Sequence, residues 1–166
     1  MNEADIKTHT DLYVLYNGEH FIKLDDLHPC NLLAYSNEDD VDLAIIQLED
    51  ATTPEDAYIF QLREEADDKP LTLDQKLYMI GFNRGFTIGK ISSGEIHSQI
   101  YSGNITQKSD GTSILYSIPA LHGSSGSPVV DEYGNLVAVN FAGYDSTQGF
   151  NYGISSKKIR QFLKEY

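Results

Sequence analysis

From Lys76 onward the chain repeats one pattern: a short run rich in β-branched and aromatic residues, then a turn residue, then another run. "KLYMIGF", "KISSGEIHSQ", "GNITQK", "TSILYSI", "GSPVVD", "NLVAVNFAG" and "FNYGI" follow one another, nearly all separated by glycine-containing turns. Such runs favour pleated, half-buried strands, and six or seven at this spacing predict a closed barrel or a sandwich. The period changes only at the end. In "SSKKIRQFLKEY" the apolar residues Ile159, Phe162 and Leu163 fall at i, i+3 and i+4, and Ser155 or Ser156 can cap the first turn, so a terminal helix packed on this unit is expected.

The N-terminal third reads as a smaller antiparallel unit of about four strands, over residues 1–50. "LYVLY" leads into Asn17-Gly18, a dipeptide that accepts the positive φ angles of a tight hairpin, with "EHFIKL" as the returning strand. "NLLAY", an acidic loop and "DLAIIQL" complete it. Residues 51–73 carry two prolines and several acids and read as a connector; residues 74–166 form the second unit. The coarse class is all-β with one helix.

At 166 residues the chain suffices for one compact domain or two subdomains sharing an interface. With 40% hydrophobic and 22% charged residues it has the composition of a globular protein with a real core. The formal net charge of -13 disfavours nucleic acid and anionic membranes as partners through long-range repulsion. Much of that charge sits in "SNEDDVD" and "REEADDK", which read as solvated loops. No apolar run reaches the length of a membrane span and the start lacks a basic-then-apolar signal segment, so a cytoplasmic location is expected. Cys30, the single cysteine, excludes an internal disulfide and a thiolate metal cluster. It is expected as a half-buried free thiol. No metal motif, phosphate-binding loop or dinucleotide fingerprint is visible, so no cofactor is expected.

The chemistry is concentrated in "LHGSSGSPVV", Leu121 to Val130. A serine hydroxyl attacks a carbonyl only when a base takes its proton and donors stabilise the oxyanion that forms. Backbone N–H groups can serve as those donors if the chain turns sharply, which flanking glycines permit. Gly123 and Gly126 bracket Ser124 and Ser125 in this way. Taken alone, the same residues also suit a polar turn leading into a strand.

This loop resembles the nucleophile loop of trypsin-like (chymotrypsin-fold) serine peptidases, in which Gly-X-Ser-Gly-(Gly/Ser)-Pro carries the active serine. The resemblance implies a double β-barrel with a partial first barrel, Ser125 as nucleophile, and an oxyanion hole made by the N–H groups of Gly123 and Ser125. "DVDLAIIQL" resembles the family's aspartate element, which implies that Asp42 is a buried carboxylate orienting the catalytic imidazole. His122, Asn140, Ala142 and Gly143 would line the substrate channel, where an extended peptide can add as a strand. Ser124 and Pro119 stand where an acid would mark, respectively, zymogen-type activation and a preference for basic side chains, so neither property is expected.

The histidine that the family places before the aspartate has no counterpart at the matching position, where "MNEAD" stands. His9 is the nearest candidate, or the base lies upstream of Met1; His20 and His28 read as structural or surface residues. The resemblance therefore implies an endopeptidase acting on peptide or protein substrates through an acyl-enzyme on Ser125. The alternative is an inactive pseudo-peptidase that binds peptides or regulates.

Overall fold

The structure, a computed structural model, describes residues 12–63, 70–143 and 150–166. Its C-terminal unit is a closed antiparallel barrel of six strands: β4 (Lys76–Gly81), β5 (Gln99–Gln107), β6 (Ser113–Tyr116), β7 (Pro128–Val130), β8 (Leu136–Gly143) and β9 (Asn151–Ser155). The order is β4-β5-β6-β9-β8-β7, and β4 pairing with β7 closes the ring. Closure removes the exposed edges that a row of such short strands would otherwise present.

Alternation along the strands fills the interior. In β4 Leu77 and Met79 point inward between Lys76, Tyr78 and Ile80, and in β6 Ile114 and Tyr116 do the same. Together with Ile105, Ile118, Val129, Val137 and Ala138 they make one core cluster. Each buried aliphatic side chain contributes roughly 1.5–3 kcal/mol relative to exposure. This cluster therefore sets the frame on which the loops are mounted.

The N-terminal unit has, among the described residues, an antiparallel sheet of three strands, β1 (Leu12–Val14), β2 (His28–Tyr35) and β3 (Ala44–Leu48), in the order β1-β2-β3. Among the described residues it closes no barrel. The expected hairpin at Asn17-Gly18 is different: β1 pairs with β2, Leu12 opposite Cys30, and "EHFIKL" does not return along β1. Instead Gly18 donates to Ile96 O at 2.7 Å and Ile96 to Glu19 O at 2.8 Å, so the turn docks on the segment that leads into β5. The reason lies in Asp26, whose carboxylate accepts the amides of Ile22 and Lys23 at 2.8 and 2.9 Å and so takes donors that a strand would need.

"KISSGEIHSQ" also differs from the strand expected for it. Ile91 to Gly94 close a turn, and only from Gln99 does the chain extend, continuing without a break through "GNITQ" as β5. A short helix, α1 (Phe86–Gly89), lies between β4 and this turn. The terminal helix α2 (Ser156–Glu165) forms as its pattern predicts, with the Ser155 hydroxyl accepting from Lys158 N. No helix among the described residues is long and apolar enough to cross a membrane.

A second apolar cluster joins the two units. Val41, in the acidic loop, is 3% exposed and packs with Ile154 and Ile159, while Leu43, Leu62, Val139 and Phe141 flank them. Lys158 Nζ on α2 meets Glu38 at 2.7 Å across the same boundary. The connector lies along β8: Leu136 donates to Gln61 O at 2.7 Å, and Arg63 pairs with the buried Asp131 at 3.4 Å. The acidic loop is thus anchored by the one apolar residue it contains.

Candidate active site

The loop between Leu121 and Ser127 consists of two consecutive tight turns. Ser124 N donates to Leu121 O at 3.0 Å and Ser127 N to Ser124 O at 3.1 Å. Glycine occupies the third position of each turn, Gly123 at φ 93° and Gly126 at φ 85°. A turn that needs positive φ at this position favours glycine there. Gly123 is required for space as well: a Cβ on it would lie 2.9 Å from Phe82 O and 3.0 Å from Gly85 N.

The two serines diverge. Ser124 is 2% exposed, and its hydroxyl donates to Leu121 O at 2.6 Å. Ser125 is exposed, and its hydroxyl has only a long contact to Phe141 O, 3.4 Å. Of the pair, Ser125 alone presents a reactive oxygen to solvent.

The direction of the amides follows from the carbonyls. Among the described residues no peptide bond is cis, so in each unit the C=O and N–H point in opposite directions. His122 O accepts from Arg84 N at 2.7 Å, which turns the Gly123 N–H away from the β4–α1 segment. Ser124 O accepts from Ser127 N and from the Asn140 side-chain Nδ2, both at 3.1 Å, which turns the Ser125 N–H outward. Among the described residues neither the Gly123 nor the Ser125 amide has an intramolecular partner. Two unused donors flank the exposed hydroxyl, the arrangement an oxyanion needs.

Behind the loop stands a buried polar chain. Tyr116 Oη donates to Asn140 Oδ1 at 2.8 Å, and Asn140 Nδ2 reaches Ser124 O and, at 3.4 Å, Ser124 Oγ. The Asn140 backbone adds two links, donating to Ser127 O at 2.9 Å and accepting from Gly126 N at 2.7 Å. Burial pushes the Tyr116 phenol far above its ordinary range, so it stays a neutral donor. A second asparagine, Asn83, spans the entrance of the loop, accepting from Leu121 N at 3.2 Å and donating to Pro119 O at 3.3 Å. Asn151 fixes the segment before it through Ile118 O at 2.6 Å.

The remaining residues singled out by sequence fall as follows. Asn140 is 2% exposed with its amide engaged, so it supports the loop from behind and its side chain does not face the channel. Ala142 and Gly143 sit in β8 opposite Tyr152 and Asn151, with a bulge at Phe141. β7 pairs with β8 only as far as Val139, so among the described strands the edge beyond Asn140 on that side is unpaired. His122 is exposed at the rim of the loop. Asp42 stands exposed at the entrance to β3, where a buried carboxylate was expected, and no hydrogen bond to it forms among the described residues. Its neighbours Val41 and Leu43 belong to the apolar cluster that includes Phe141, whose carbonyl receives the Ser125 hydroxyl.

His9 lies outside the described residues. Three of the other histidines are paired with carboxylates away from the loop: His28 with Glu19 at 2.9 Å, and His20 and His97 with Glu95 at 3.8 and 3.4 Å. A hydrogen bond from Ser93 first, and then one from His97, hold the Glu95 carboxyl below its usual range. No described histidine bonds to Ser125 or Asp42. Cys30 is buried, and burial pushes its thiol up, away from nucleophilic reactivity. Among the described residues no cluster of histidine, cysteine and acidic side chains has the makings of a metal site.

Sequence reasoning missed Tyr116, Asn83 and Arg84. A signal for the first existed: Tyr116 and Asn140 are polar residues at inward positions of apolar strands, and buried polar groups come in bonded sets.

A family model described as the trypsin-like peptidase domain matches residues 19–139, and the chain belongs to that family. Among solved structures it is similar to the Rv3671c protease of M. tuberculosis H37Rv in its inactive form. A crystal structure of a serine-to-alanine mutant superposes with a TM-score of 0.61 at 13% identity, covering 86% of this chain and 66% of that one. A second crystal structure of the inactive form gives 0.62 at 13% identity, with 86% and 69% covered. The chain thus spans about two thirds of the length of these neighbours, and the likeness establishes the chymotrypsin-like fold. No curated protein matches the chain.

Proposed function

We propose that the chain is a serine endopeptidase domain that cleaves peptide bonds through an acyl-enzyme on Ser125. One observation carries this reading: an exposed serine hydroxyl flanked by two amides, Gly123 and Ser125, that have no partner among the described residues and whose own peptide carbonyls are held on the protein side by Arg84 N and Asn140 Nδ2. In the proposed reaction Ser125 Oγ attacks the scissile carbonyl carbon and its proton passes to a histidine base. The carbonyl electrons move onto oxygen, and the two amides hold that oxyanion. Collapse breaks the C–N bond, the base returns the proton to the leaving amine, and water hydrolyses the acyl group. Asp42 is proposed to orient the imidazole, which its place beside the Phe141 cluster supports. The edge of β8 at Phe141 to Gly143 that faces away from β9 is proposed to receive the extended substrate.

A second reading rests on the histidines: each of the described ones at positions 20, 28 and 97 is engaged with a carboxylate elsewhere. It makes the domain a peptide-binding pseudo-peptidase that uses the same channel. Incubation with a library of unstructured peptides separates the two. Cleavage by the wild-type chain and none by Ser125→Ala supports the enzyme; saturable peptide binding by both proteins with no cleavage by either supports the pseudo-peptidase and overturns the enzyme.

A further inference from the structure

We propose that Tyr116 is a positioning residue for the oxyanion site, acting through Asn140 on the Ser124–Ser125 peptide. The inference rests on the reading of Ser125 as the nucleophile. Tyr116 is fully buried in the barrel, on β6, and touches neither Ser125 nor the channel. Its hydroxyl donates to Asn140 Oδ1 and so anchors the amide in the one orientation that Ser124 O, an acceptor only, can use. With Oδ1 held by the phenol, Nδ2 is left to point at Ser124 O and Ser124 Oγ. The Ser124 carbonyl is then drawn inward, and the trans peptide sends the Ser125 N–H the other way.

The arrangement is a relay of three groups with a fixed polarity. Ser124 O can only accept, so the polarity is set at that end of the relay and the phenol completes it at the other. The structure also makes room for it: a Cβ on Gly153, opposite Asn140 in β9, would lie 2.9 Å from Tyr116 Oη. Without the phenol, Asn140 Oδ1 faces an apolar ring edge unpaired, the inward pull on Ser124 O weakens, and the Ser125 amide loses its aim. The effect falls on the transition state, because only there does the amide hold a charged oxygen.

The test is a double-mutant cycle read by the second-order rate of Ser125 labelling with a fluorophosphonate, on the full chain, with folding checked by thermal melting. Tyr116→Phe removes only the hydroxyl and is expected to slow labelling about tenfold or more, since full loss of an oxyanion donor is worth about 10²–10³ in rate. Asn140→Ser removes both ends of the link without burying a charge and is expected to slow it at least as much. In the Asn140→Ser background, Tyr116→Phe is then expected to change the rate no further, because the two act in series. Ile114→Val, a core change in the same strand, reports general loosening and is expected to leave labelling unchanged. Labelling of Tyr116→Phe at the wild-type rate, or independent, multiplying losses in the double mutant, overturns the proposal. If the wild-type chain is not labelled at all, the nucleophile reading fails and the relay is judged on a crystal structure of Tyr116→Phe. A reoriented Ser124–Ser125 peptide there upholds it, and an unchanged peptide refutes it.

Discussion

Replacing Gly123 by alanine probes the loop where shape and chemistry coincide. The residue sits at φ 93°, and its added methyl would meet Phe82 O at 2.9 Å, Gly85 N at 3.0 Å and Arg84 N at 3.4 Å. Left-handed backbone strain in an L residue costs about 1–2 kcal/mol. The contacts are with backbone atoms, which cannot swing aside as a flexible side chain does, so relief by a shift of the loop adds about 1–2 kcal/mol. The sum, about 2–4 kcal/mol, corresponds to a fall in melting temperature of about 10 °C for a domain of this size. Any shift that relieves the clash displaces the His122–Gly123 peptide from Arg84 N and takes the Gly123 amide with it. In the proposed reaction that amide is one of two oxyanion donors, and losing one such donor lowers the rate about 10²–10³-fold. The paired control is Gly126→Ala: φ is 85° there too, but nothing lies within 4 Å of the added methyl, so only the strain remains. Melting of both variants and fluorophosphonate labelling of Gly123→Ala test the account. A Gly123→Ala protein that melts with Gly126→Ala and labels at the wild-type rate would refute the reasoning.

Two further outcomes follow from other parts of the molecule. Arg63→Met removes the cation beside the carboxylate of Asp131, 2% exposed, which keeps its hydrogen bonds from Tyr133 N, Asn135 N and Asn135 Nδ2, and costs about 1.5–3 kcal/mol, whereas Lys23→Met on the exposed pair with Asp25 changes stability by less than about 1 kcal/mol. Urea denaturation of the two variants measures the contrast, and equal midpoints would contradict it. The Asp110 carboxyl is held below its usual range by the amides of Ser113 and then Thr112, so the β5–β6 turn gains stability that is present above the unfolded pKa and lost as pH falls through the lower folded value. An NMR titration should show the Thr112 and Ser113 amides moving with a midpoint below that of an ordinary aspartate; a midpoint at or above it would remove this contribution.

What could be read from sequence was what depends on local pattern. β4, β6, β7, β8 and β9 alternate or run apolar between turn residues, and α2 carries both a 3.6-residue stripe and its serine cap, so local preference and tertiary placement agree. The loop at Ser125 was legible for the same reason, because its glycines do a conformational job that does not depend on the rest of the fold. The partnership of β1 was not legible. Asn17-Gly18 does turn the chain, but a turn dipeptide does not specify what the outgoing residues pair with, and here Glu19 finds Ile96, just ahead of β5. Asn140 shows a similar limit. Its place in β8 was clear, but which face it presents depends on a register set by β7 and β9 and on a bulge at Phe141, and these turned its amide toward Tyr116 and Ser124. Asp42 likewise could be placed at the mouth of β3 without revealing that the neighbouring Val41 takes the buried position.

Ser125, and not its buried neighbour Ser124, is proposed as the activated nucleophile. Treating the intact chain with a fluorophosphonate and locating the adduct by tandem mass spectrometry tests it directly. A single adduct on Ser125, absent from Ser125→Ala, is expected. An unmodified wild-type chain, or an adduct on any other residue, would contradict it.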